Sequence, residues 1–458
     1  MDRGQTHGSD PTAERTPFMK RAAFALTLMA AVGALAAALI YQSPGVTEFR
    51  QLLRYGGGGL AVVVLAGALW VLWRRTLTAG VRASVLAIGL IAATALALFA
   101  QAERRLAFLR NNAIATPVTD LAAVGRHVIV GYQDPQELLG LIARGAVGGV
   151  FVTARNAASK SVEQLSAEIA GFQTAARDNG FPPLVIATDQ EGGFVSRLSP
   201  PLPKPQMPSQ MIGGVKDAGT LDLAAIRAAA ENAGRDLARV GVTLNFAPVA
   251  DLNFSIRDSR DRHSRIADRA IARDPAIVGA VARAYCEGLS AAGVQCTLKH
   301  FPGLGRVAGD THLGAARLVA SRAELESEDW RPFREVIAAT GAAIMVGHAS
   351  LDAVDASLPA SMSPAVIDGV LRDAWKFRGI IVTDDLTMQA TSNRAGGTGA
   401  AAVAALAAGV DYVLVSYDHA QVYPVLQALL RARAEGKLGT ATYLRPTPER
   451  LFPADKRK

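Results

Sequence analysis

The sequence predicts an eight-stranded (β/α)8 barrel, of the TIM type, preceded by three transmembrane α-helices. Two observations lead to this prediction. The chain of 458 residues contains three long apolar runs near its start, and none of them carries a charge. From about residue 113 onwards, short β-branched runs alternate with longer stretches rich in Ala, Leu and Arg. That alternation is typical of parallel strands joined by helices.

Each apolar run is close to the roughly 20 residues that a helix needs to cross the hydrocarbon core of a bilayer. The runs cover residues 22–41, 56–73 and 83–102. Basic residues flank all three, as is usual for spanning helices. We therefore expect a membrane region over residues 22–105 after an N-terminal tail of residues 1–21. The alternative is a cleaved signal peptide followed by buried helices of a soluble protein.

Basic residues also predict the orientation, because cytoplasmic flanks carry an excess of Lys and Arg. Seven lie in the N-terminal tail and the second loop: Arg3, Arg15, Lys20, Arg21, Arg74, Arg75 and Arg82. Five lie in the first loop and after the third run: Arg50, Arg54, Arg104, Arg105 and Arg110. The excess predicts a cytoplasmic N-terminus. Three crossings then place the C-terminal domain outside the cytoplasm.

Eight short apolar runs match the strands of one sheet. They are residues 127–131, 148–153, 184–188, 243–248, 295–299, 343–347, 379–383 and 412–416. Segments with helical periodicity lie between them, for example residues 221–240 and 275–292. Eight strands favour a closed barrel over residues 113–440, followed by a tail of residues 441–458. An open, doubly wound sheet is the alternative, since counting strands does not prove closure.

The charge and the cysteine content exclude several classes of function. The formal net charge is +8, but the basic residues are scattered and accompany no nucleic-acid-binding motif. We therefore expect no nucleic-acid partner. Cys286 and Cys296 lack the spacing of metal ligands, and two cysteines are too few for a disulfide framework. The sequence favours two buried thiols over a single bridge.

Polar residues follow five of the predicted strands. They are Asp189, Glu191, Asp251, Asn253, Lys299, His300, His348, Asp384 and Asp385. A lone Asp after a strand is commonly a helix cap, but five such positions indicate one shared site, because barrel enzymes gather their chemistry at the strand ends. The sequence has no cysteine cluster, serine elbow or phosphate loop. Carboxylates in this setting indicate glycoside hydrolysis or metal-assisted hydrolysis.

Two elements of the sequence suit glycoside hydrolysis. Asp384 ends a very apolar strand, which would hold its side chain in one direction and lower the orientational cost of attack. Asp310 lies two residues before His312. A carboxylate partner would set the tautomer and basicity of this imidazole, whose ordinary pKa of about 6.5 suits a general acid and base. Taken alone, such a pair is more often a structural contact within a loop.

Five motifs together resemble the bacterial family 3 β-N-acetylglucosaminidases. The motifs are residues 189–193, 245–248, 299–305, 310–312 and 384–388. They occur in the order and spacing of that family, over about residues 115–425. The resemblance implies a single (β/α)8-type barrel, retaining hydrolysis, and release of terminal N-acetylglucosamine, commonly from peptidoglycan fragments. We expect no metal and no organic cofactor.

The resemblance also implies roles for individual residues. Asp384 matches the nucleophile that forms the glycosyl-enzyme intermediate. His312 matches the acid/base group, and Asp310 matches its carboxylate partner. The residues that match sugar-binding positions in the first subsite are Asp189, Arg269, Lys299 and His300. Asp385 is expected to orient its neighbours rather than to attack.

The sequence departs from the family pattern at two positions and in its N-terminal region. Leu304 stands where the family usually has a second His, and Phe194 stands where the Gly-Gly pair is usually followed by Arg. Typical relatives are soluble. We expect a glycosidase anchored by lipid-embedded helices in the bacterial inner membrane, acting on an N-acetylglucosamine-containing glycan or muropeptide. The alternatives are a β-glucosidase of the same fold and a catalytically impaired, glycan-binding membrane module.

Overall fold

The computed structural model describes residues 11–41, 52–73, 77–215, 217–258, 261, 263–310, 312, 314–393 and 396–438. The predicted C-terminal tail, residues 441–458, lies outside these residues, as do residues 1–10 of the predicted N-terminal tail. The chain divides into two compact units, Met1–Phe108 and Leu109–Lys458.

Three helices near the N-terminus are long and apolar enough to cross a membrane. These candidate spans are Arg21–Ile40, Leu53–Trp73 and Ala79–Ala115, and they contain the three predicted apolar runs except for Tyr41. Only 17–22% of the residues in each apolar window are buried within the protein. Most of these apolar side chains therefore face outward. Such a surface is favourable in contact with lipid and unfavourable in contact with water.

The three helices contact one another through small side chains. Alanines such as Ala34, Ala61 and Ala95 are fully buried between them, and small residues let helix backbones approach closely. Just after the third apolar run, Glu103 accepts a hydrogen bond from the Tyr41 hydroxyl, and the Arg54 guanidinium lies 3.4 Å from the same carboxylate. These polar groups therefore meet partners where the apolar run ends.

Eight parallel strands form the wall of the C-terminal unit. They are β1 (Val128–Gly131), β2 (Gly149–Phe151), β3 (Val185–Thr188), β4 (Leu244–Asn245), β5 (Gln295–Phe301), β6 (Ala343–Val346), β7 (Ile381–Asp385) and β8 (Tyr412–Val415). Each strand pairs with the next one along the chain, and β1 pairs with β8, so the barrel is closed. The predicted (β/α)8 barrel is confirmed, with every predicted strand in it, and the open sheet is excluded.

Helices and short hairpins connect the strands. The α-helices that follow Ala79–Ala115 along the chain are Val118–Gly125, Pro135–Ile142, Ala154–Ala157, Val162–Asp178, Pro208–Met211, Leu223–Arg239, Ile266–Arg269, Pro275–Ala291, Arg322–Ser327, Arg331–Thr340, Gln389–Ser392, Gly397–Ala407 and Val422–Ala434. A π-helix covers Ala365–Ala374, and 3-10 turns cover Ala218–Thr220, Ala360–Met362 and His419–Gln421. The short strands are Gln190–Gly192, Val195–Ser196, Arg317–Leu318, Ser350–Leu351 and Asp355–Pro359. Capping sets several helix starts: Asp274 accepts the Ala276 N–H before Pro275–Ala291.

Strand alternation carries two candidate site residues inward. Val185 and Ala187 of β3 and Val382 of β7 belong to a buried apolar cluster to which seven of the eight strands contribute. Side chains two residues apart lie on the same face of a strand. The inward series therefore continues to Asp189 after β3 and to Asp384 within β7. Both reach the C-terminal ends of the strands, which we call the mouth of the barrel.

The prediction for the cysteines was wrong. Cys286 on the helix Pro275–Ala291 and Cys296 on β5 form a disulfide, with their Cα atoms 5.3 Å apart. This separation lies within the range that a bridge requires. The helix packs on the strand that follows it, so that two buried cysteines ten residues apart meet. Sequence spacing alone does not reveal that contact.

A buried ion pair lies at the end of the barrel opposite the mouth. Arg372 Nη2 lies 2.7 Å from Asp411 Oδ2, and the same oxygen accepts the N–H of Ile381 at 2.8 Å, at the start of β7. We expect Arg372→Met to lower the free energy of unfolding by about 3–5 kcal/mol, because it leaves a buried carboxylate without its cation. Denaturant unfolding of the detergent-solubilised chain measures this change.

Arg317→Met is the matched control, since Arg317 forms an exposed pair with Asp352. Its unfolding curve should stay close to that of the unmodified chain. Equal destabilisation by the two substitutions would contradict a stabilising role for the buried pair.

Candidate active site

Asp384 is a half-buried carboxylate at the mouth, near the end of β7. Its Oδ1 accepts the backbone N–H of Asp385 at 2.8 Å. Burial raises the pKa of Asp384. The neighbouring imidazoles of His300, His348 and His312 lower it by a larger amount, so the net pKa lies below its ordinary value. Asp384 is therefore ionised at neutral pH, as a nucleophile must be.

Asp310 and His312 form a hydrogen-bonded pair. His312 Nδ1 lies 2.8 Å from Asp310 Oδ1, which also accepts the backbone N–H of His312 at 2.9 Å. Burial raises the pKa of Asp310, but the hydrogen bonds and charge of His312 outweigh it, and the net pKa lies well below its usual range. An ionised Asp310 keeps the proton of the ring on Nδ1. In the predicted acid/base role, Nε2 would then be the nitrogen that exchanges a proton with the substrate.

The segment that carries this pair lies beside the residues after β7. The carbonyl of His312 accepts the N–H of Gln389 at 3.1 Å, just beyond Asp384. The His312 ring is 5.3 Å from the exposed ring of His263 and 6.0 Å from that of Tyr417. The hydrogen bond between Gln389 and His312 therefore places the candidate acid/base group on the side of the mouth where β7 ends.

A buried ion-pair network forms the floor of the mouth. Lys299 Nζ lies 2.7 Å from Asp189 Oδ1 and 2.6 Å from Glu191 Oε1. Arg269 donates two hydrogen bonds to the same Glu191, from Nε to Oε2 at 2.9 Å and from Nη2 to Oε1 at 2.6 Å. Burial raises the pKa of Glu191, but these two cations hold it well below its usual range. The side chain of Asp189 is 22% exposed, so it is the carboxylate of this network that faces solvent.

A second buried carboxylate, Asp251, holds His300. His300 Nδ1 lies 2.7 Å from Asp251 Oδ2, and Asp251 Oδ1 accepts the N–H of Leu304 at 2.6 Å. His300 Nε2 lies 3.5 Å from Arg269 Nη2. The four predicted sugar-binding residues, Asp189, Arg269, Lys299 and His300, are thus brought together. Leu304, which replaces the usual second His, is buried and joins this arrangement through its backbone alone.

Asp385 is surrounded by donors. It accepts hydrogen bonds from the N–H and hydroxyl of Thr387, each at 2.8 Å, from the N–H and hydroxyl of Ser416, and from the N–H of Tyr417 at 2.8 Å. These contacts join the end of β7 to the residues after β8. They agree with an orienting role, because the lone pairs that an attack would use are engaged.

His348 stands behind this pair of carboxylates. Its Nε2 lies 3.0 Å from the carbonyl of Asp385, and its Nδ1 lies 2.8 Å from the Ser361 hydroxyl. Burial lowers the pKa of His348 below its ordinary value, although the nearby carboxylates of Asp384 and Asp385 oppose this shift. The ring contributes shape and hydrogen bonds to the wall of the site.

Sequence reasoning assigned no role to Glu191 or Ser264. Glu191 belongs to a recognised motif, and a carboxylate two residues after Asp189 could have been paired with the nearby cations. Ser264 Oγ donates to Asp310 Oδ1 at 3.0 Å across 46 residues of sequence, for which no local signal exists. Among the described residues, no group of three or more His, Cys, Asp or Glu side chains is placed to hold a metal ion.

The chain matches a known enzyme family over most of its length. Residues 117–443 match the model of the glycosyl hydrolase family 3 N-terminal domain. The chain belongs to glycosyl hydrolase family 3. The β-hexosaminidase of Xylella fastidiosa strain M23 is 40% identical over 283 residues, which cover 59% of this chain and 77% of the relative. The β-hexosaminidase LpqI of Mycobacterium tuberculosis is 32% identical over 320 residues, which cover 68% and 76%.

Solved structures of family 3 members have the same fold. The β-N-acetylglucosaminidase of Paenibacillus sp. str. FPU-7 has a TM-score of 0.65 and 32% identity, over 72% of this chain and 61% of that one, which is less than two thirds of its length. A family 3 glycosyl hydrolase of Mycobacterium smegmatis has a TM-score of 0.62 and 31% identity, over 73% and 96%. The predicted family and enzyme class are confirmed: the chain is a glycoside hydrolase of the β-N-acetylhexosaminidase type. The roles of single residues stay predictions.

Glu191 offers a test of the network in this family 3 enzyme. Glu191→Gln removes the charge that Lys299 and Arg269 share, so we expect the free energy of unfolding to fall by about 3 kcal/mol or more. We also expect KM for an aryl β-N-acetylglucosaminide to rise, because Lys299 loses one of the two carboxylates that hold it in position. Steady-state kinetics and denaturant unfolding measure the two effects.

Glu335→Gln is the control, since Glu335 forms an exposed pair with Arg331 on one helix. It should leave KM and the unfolding curve nearly unchanged. A Glu191→Gln enzyme with the KM of the control would show that the buried network does not position the sugar-binding residues.

Proposed function

We propose that this protein is a membrane-anchored, retaining exo-glycosidase that removes terminal β-linked N-acetylglucosamine from peptidoglycan-type glycans. The observation that carries the proposal is the arrangement of one ionised carboxylate, Asp384, beside an imidazole, His312, that Asp310 holds by hydrogen bonds. Retaining hydrolysis needs a nucleophile and a separate proton carrier at the same glycosidic bond. These residues supply both.

The reaction proceeds in two steps. In the first, an oxygen of Asp384 attacks the anomeric carbon, the bond to the leaving oxygen breaks, and His312 Nε2 gives that oxygen its proton. In the second, the neutral ring takes a proton from water as the water oxygen attacks the anomeric carbon, and Asp384 leaves as a carboxylate. Throughout, Asp310 stabilises the charged form of the ring.

The network on the floor of the mouth suits sugar binding. Asp189 and His300 can accept and donate hydrogen bonds to vicinal hydroxyl groups, and Lys299 adds a charged donor. The hydrogen bonds that a carboxylate accepts from the sugar hydroxyls strengthen as positive charge develops on the sugar ring. Arg269 is engaged by Glu191 and by the carbonyl of Ser264, so it presents its remaining donor surface from a fixed position.

Three features support an extracytoplasmic site in an inner-membrane protein. The chain has three candidate spans, and the Lys and Arg count favours a cytoplasmic N-terminus. The barrel also carries the Cys286–Cys296 disulfide, a bond that persists mainly in oxidising compartments such as the bacterial periplasm. A periplasmic enzyme would meet the wall glycan or its soluble fragments directly.

The catalytic assignments are tested by leaving-group dependence. Asp384→Asn should lower kcat/KM by about a thousandfold or more on every aryl β-N-acetylglucosaminide, because no covalent intermediate forms. His312→Ala should lower kcat/KM about a hundredfold for the phenyl glycoside, whose leaving oxygen needs a proton, and much less for the dinitrophenyl glycoside. Wild-type turnover by His312→Ala on the phenyl glycoside would refute the assignment.

The same assays separate the two alternative functions. A β-glucosidase would prefer the aryl β-glucoside over the N-acetylglucosaminide and would not depend on His312. A glycan-binding module would give no turnover above that of Asp384→Asn on any of these glycosides.

Topology is tested by reporters fused after Lys458. We expect an alkaline phosphatase fusion to be active and a fusion to a fluorescent protein that matures only in the cytoplasm to be dark. The reverse result would place the barrel in the cytoplasm and redirect the substrate to recycled wall fragments.

A further inference from the structure

Ser264 is a buried residue that touches the acid/base pair directly. Its hydroxyl donates to Asp310 Oδ1 at 3.0 Å and lies 3.4 Å from His312 Nδ1. The adjacent backbone N–H, that of His263, donates to the other oxygen of Asp310 at 3.0 Å. One short segment therefore orients both oxygens of this carboxylate.

The carbonyl of Ser264 is fixed from the opposite direction. It accepts a hydrogen bond from Arg269 Nη1 at 2.7 Å. Arg269 is itself locked by the bidentate pair with Glu191. Ser264 is thus the residue through which the buried ion-pair network and the acid/base pair are in contact.

The next residue holds the backbone in an uncommon conformation. Arg265 has a φ of 44°, in the left-handed region that side chains with a Cβ rarely adopt. Its N–H donates to both oxygens of Asp261, at 3.0 and 2.9 Å, and its guanidinium binds Asp268 and covers the Phe194 ring at 4.4 Å. These contacts stabilise the uncommon backbone conformation of Arg265 and so keep the preceding residue, Ser264, in place.

We propose that Ser264 is a positioning residue that holds Asp310 and, through it, the His312 acid/base group. The proposal rests on the proposed role of His312. The Ser264 hydroxyl directs Oδ1 of Asp310 toward the ring, so that the proton stays on Nδ1 and Nε2 points to the glycosidic oxygen. Without the hydroxyl, the carboxylate loses a donor and can rotate, and the ring loses its fixed direction.

The effect of Ser264→Ala should depend on the leaving group. A phenol of high pKa needs protonation as it departs, whereas dinitrophenol does not. We expect kcat/KM to fall about tenfold for the phenyl β-N-acetylglucosaminide and less than about twofold for the dinitrophenyl one, since partial loss of general acid catalysis affects only the former. KM should change little, because the sugar-binding side chains remain.

Three further variants make the test specific. Ser264→Thr keeps a hydroxyl and should recover most of the activity on the phenyl glycoside. Ser327→Ala removes an exposed hydroxyl that bonds only its own helix turn among the described contacts, and it should behave as wild type. In the double variant Ser264→Ala/His312→Ala, the phenyl glycoside should be hydrolysed no more slowly than by His312→Ala alone, because Ser264 acts through His312.

The outcomes separate this proposal from the proposed function. Equal losses on both glycosides, failure of Ser264→Thr to recover activity, or additive losses in the double variant would overturn the role of Ser264 while His312→Ala still shows its leaving-group dependence. If His312→Ala itself lacks that dependence, the acid/base assignment fails, and the positioning role falls with it.

Discussion

The pairing of buried charges at the mouth is the constraint on which the site depends. Lys299, Glu191 and Arg269 are almost completely buried, and taking such charges out of water is costly unless every partner is in place. The three residues come from β5, from the short strand Gln190–Gly192 after β3 and from a short helix after β4. Their mutual attraction therefore fixes three separate parts of the mouth relative to one another. The predicted sugar-binding groups belong to this network or contact it, so they are held rigidly as well.

The same constraint explains how the chain tolerates its departures from the family pattern. Leu304 provides no imidazole, yet its backbone N–H bonds the buried Asp251, which also holds His300. The start of the segment leading to His312 therefore stays anchored, although a polar side chain is missing. The ring of Phe194 packs against the guanidinium of Arg265. The residue before Arg265, Ser264, donates a hydrogen bond to Asp310. Apolar side chains at these two positions thus fit a network made by other groups.

The sequence predicted the parts that depend on local pattern. β-Branched runs identified all eight strands, and the predicted ends differed from the observed ones by at most three residues, because pairing with neighbours decides where a strand stops. Asp384 and Asp189 followed from their positions at strand ends. The Cys286–Cys296 bridge, the pairing of Glu191 and the contact of Ser264 were missed, since each depends on packing between elements. The Arg269 to Glu191 bonds, for example, span 78 residues. His312 was identified as the acid/base candidate through the family resemblance, because an Asp two residues before a His is by itself more often a structural contact.

Two adjacent carboxylates on β7 illustrate how backbone geometry divides chemistry between like residues. Side-chain alternation turns Asp384 into the mouth, where the described contacts give it a single short hydrogen bond, from the N–H of Asp385. Asp385 points the other way, toward the N–H groups and hydroxyls of residues after β7 and β8. Donors stabilise a carboxylate and occupy its lone pairs, which weakens it as a nucleophile. The nearby imidazoles instead lower the pKa of Asp384, and none of the described contacts is a hydrogen bond from an imidazole to its oxygens. This difference supports the predicted roles, in which Asp385 orients its neighbours and Asp384 reacts.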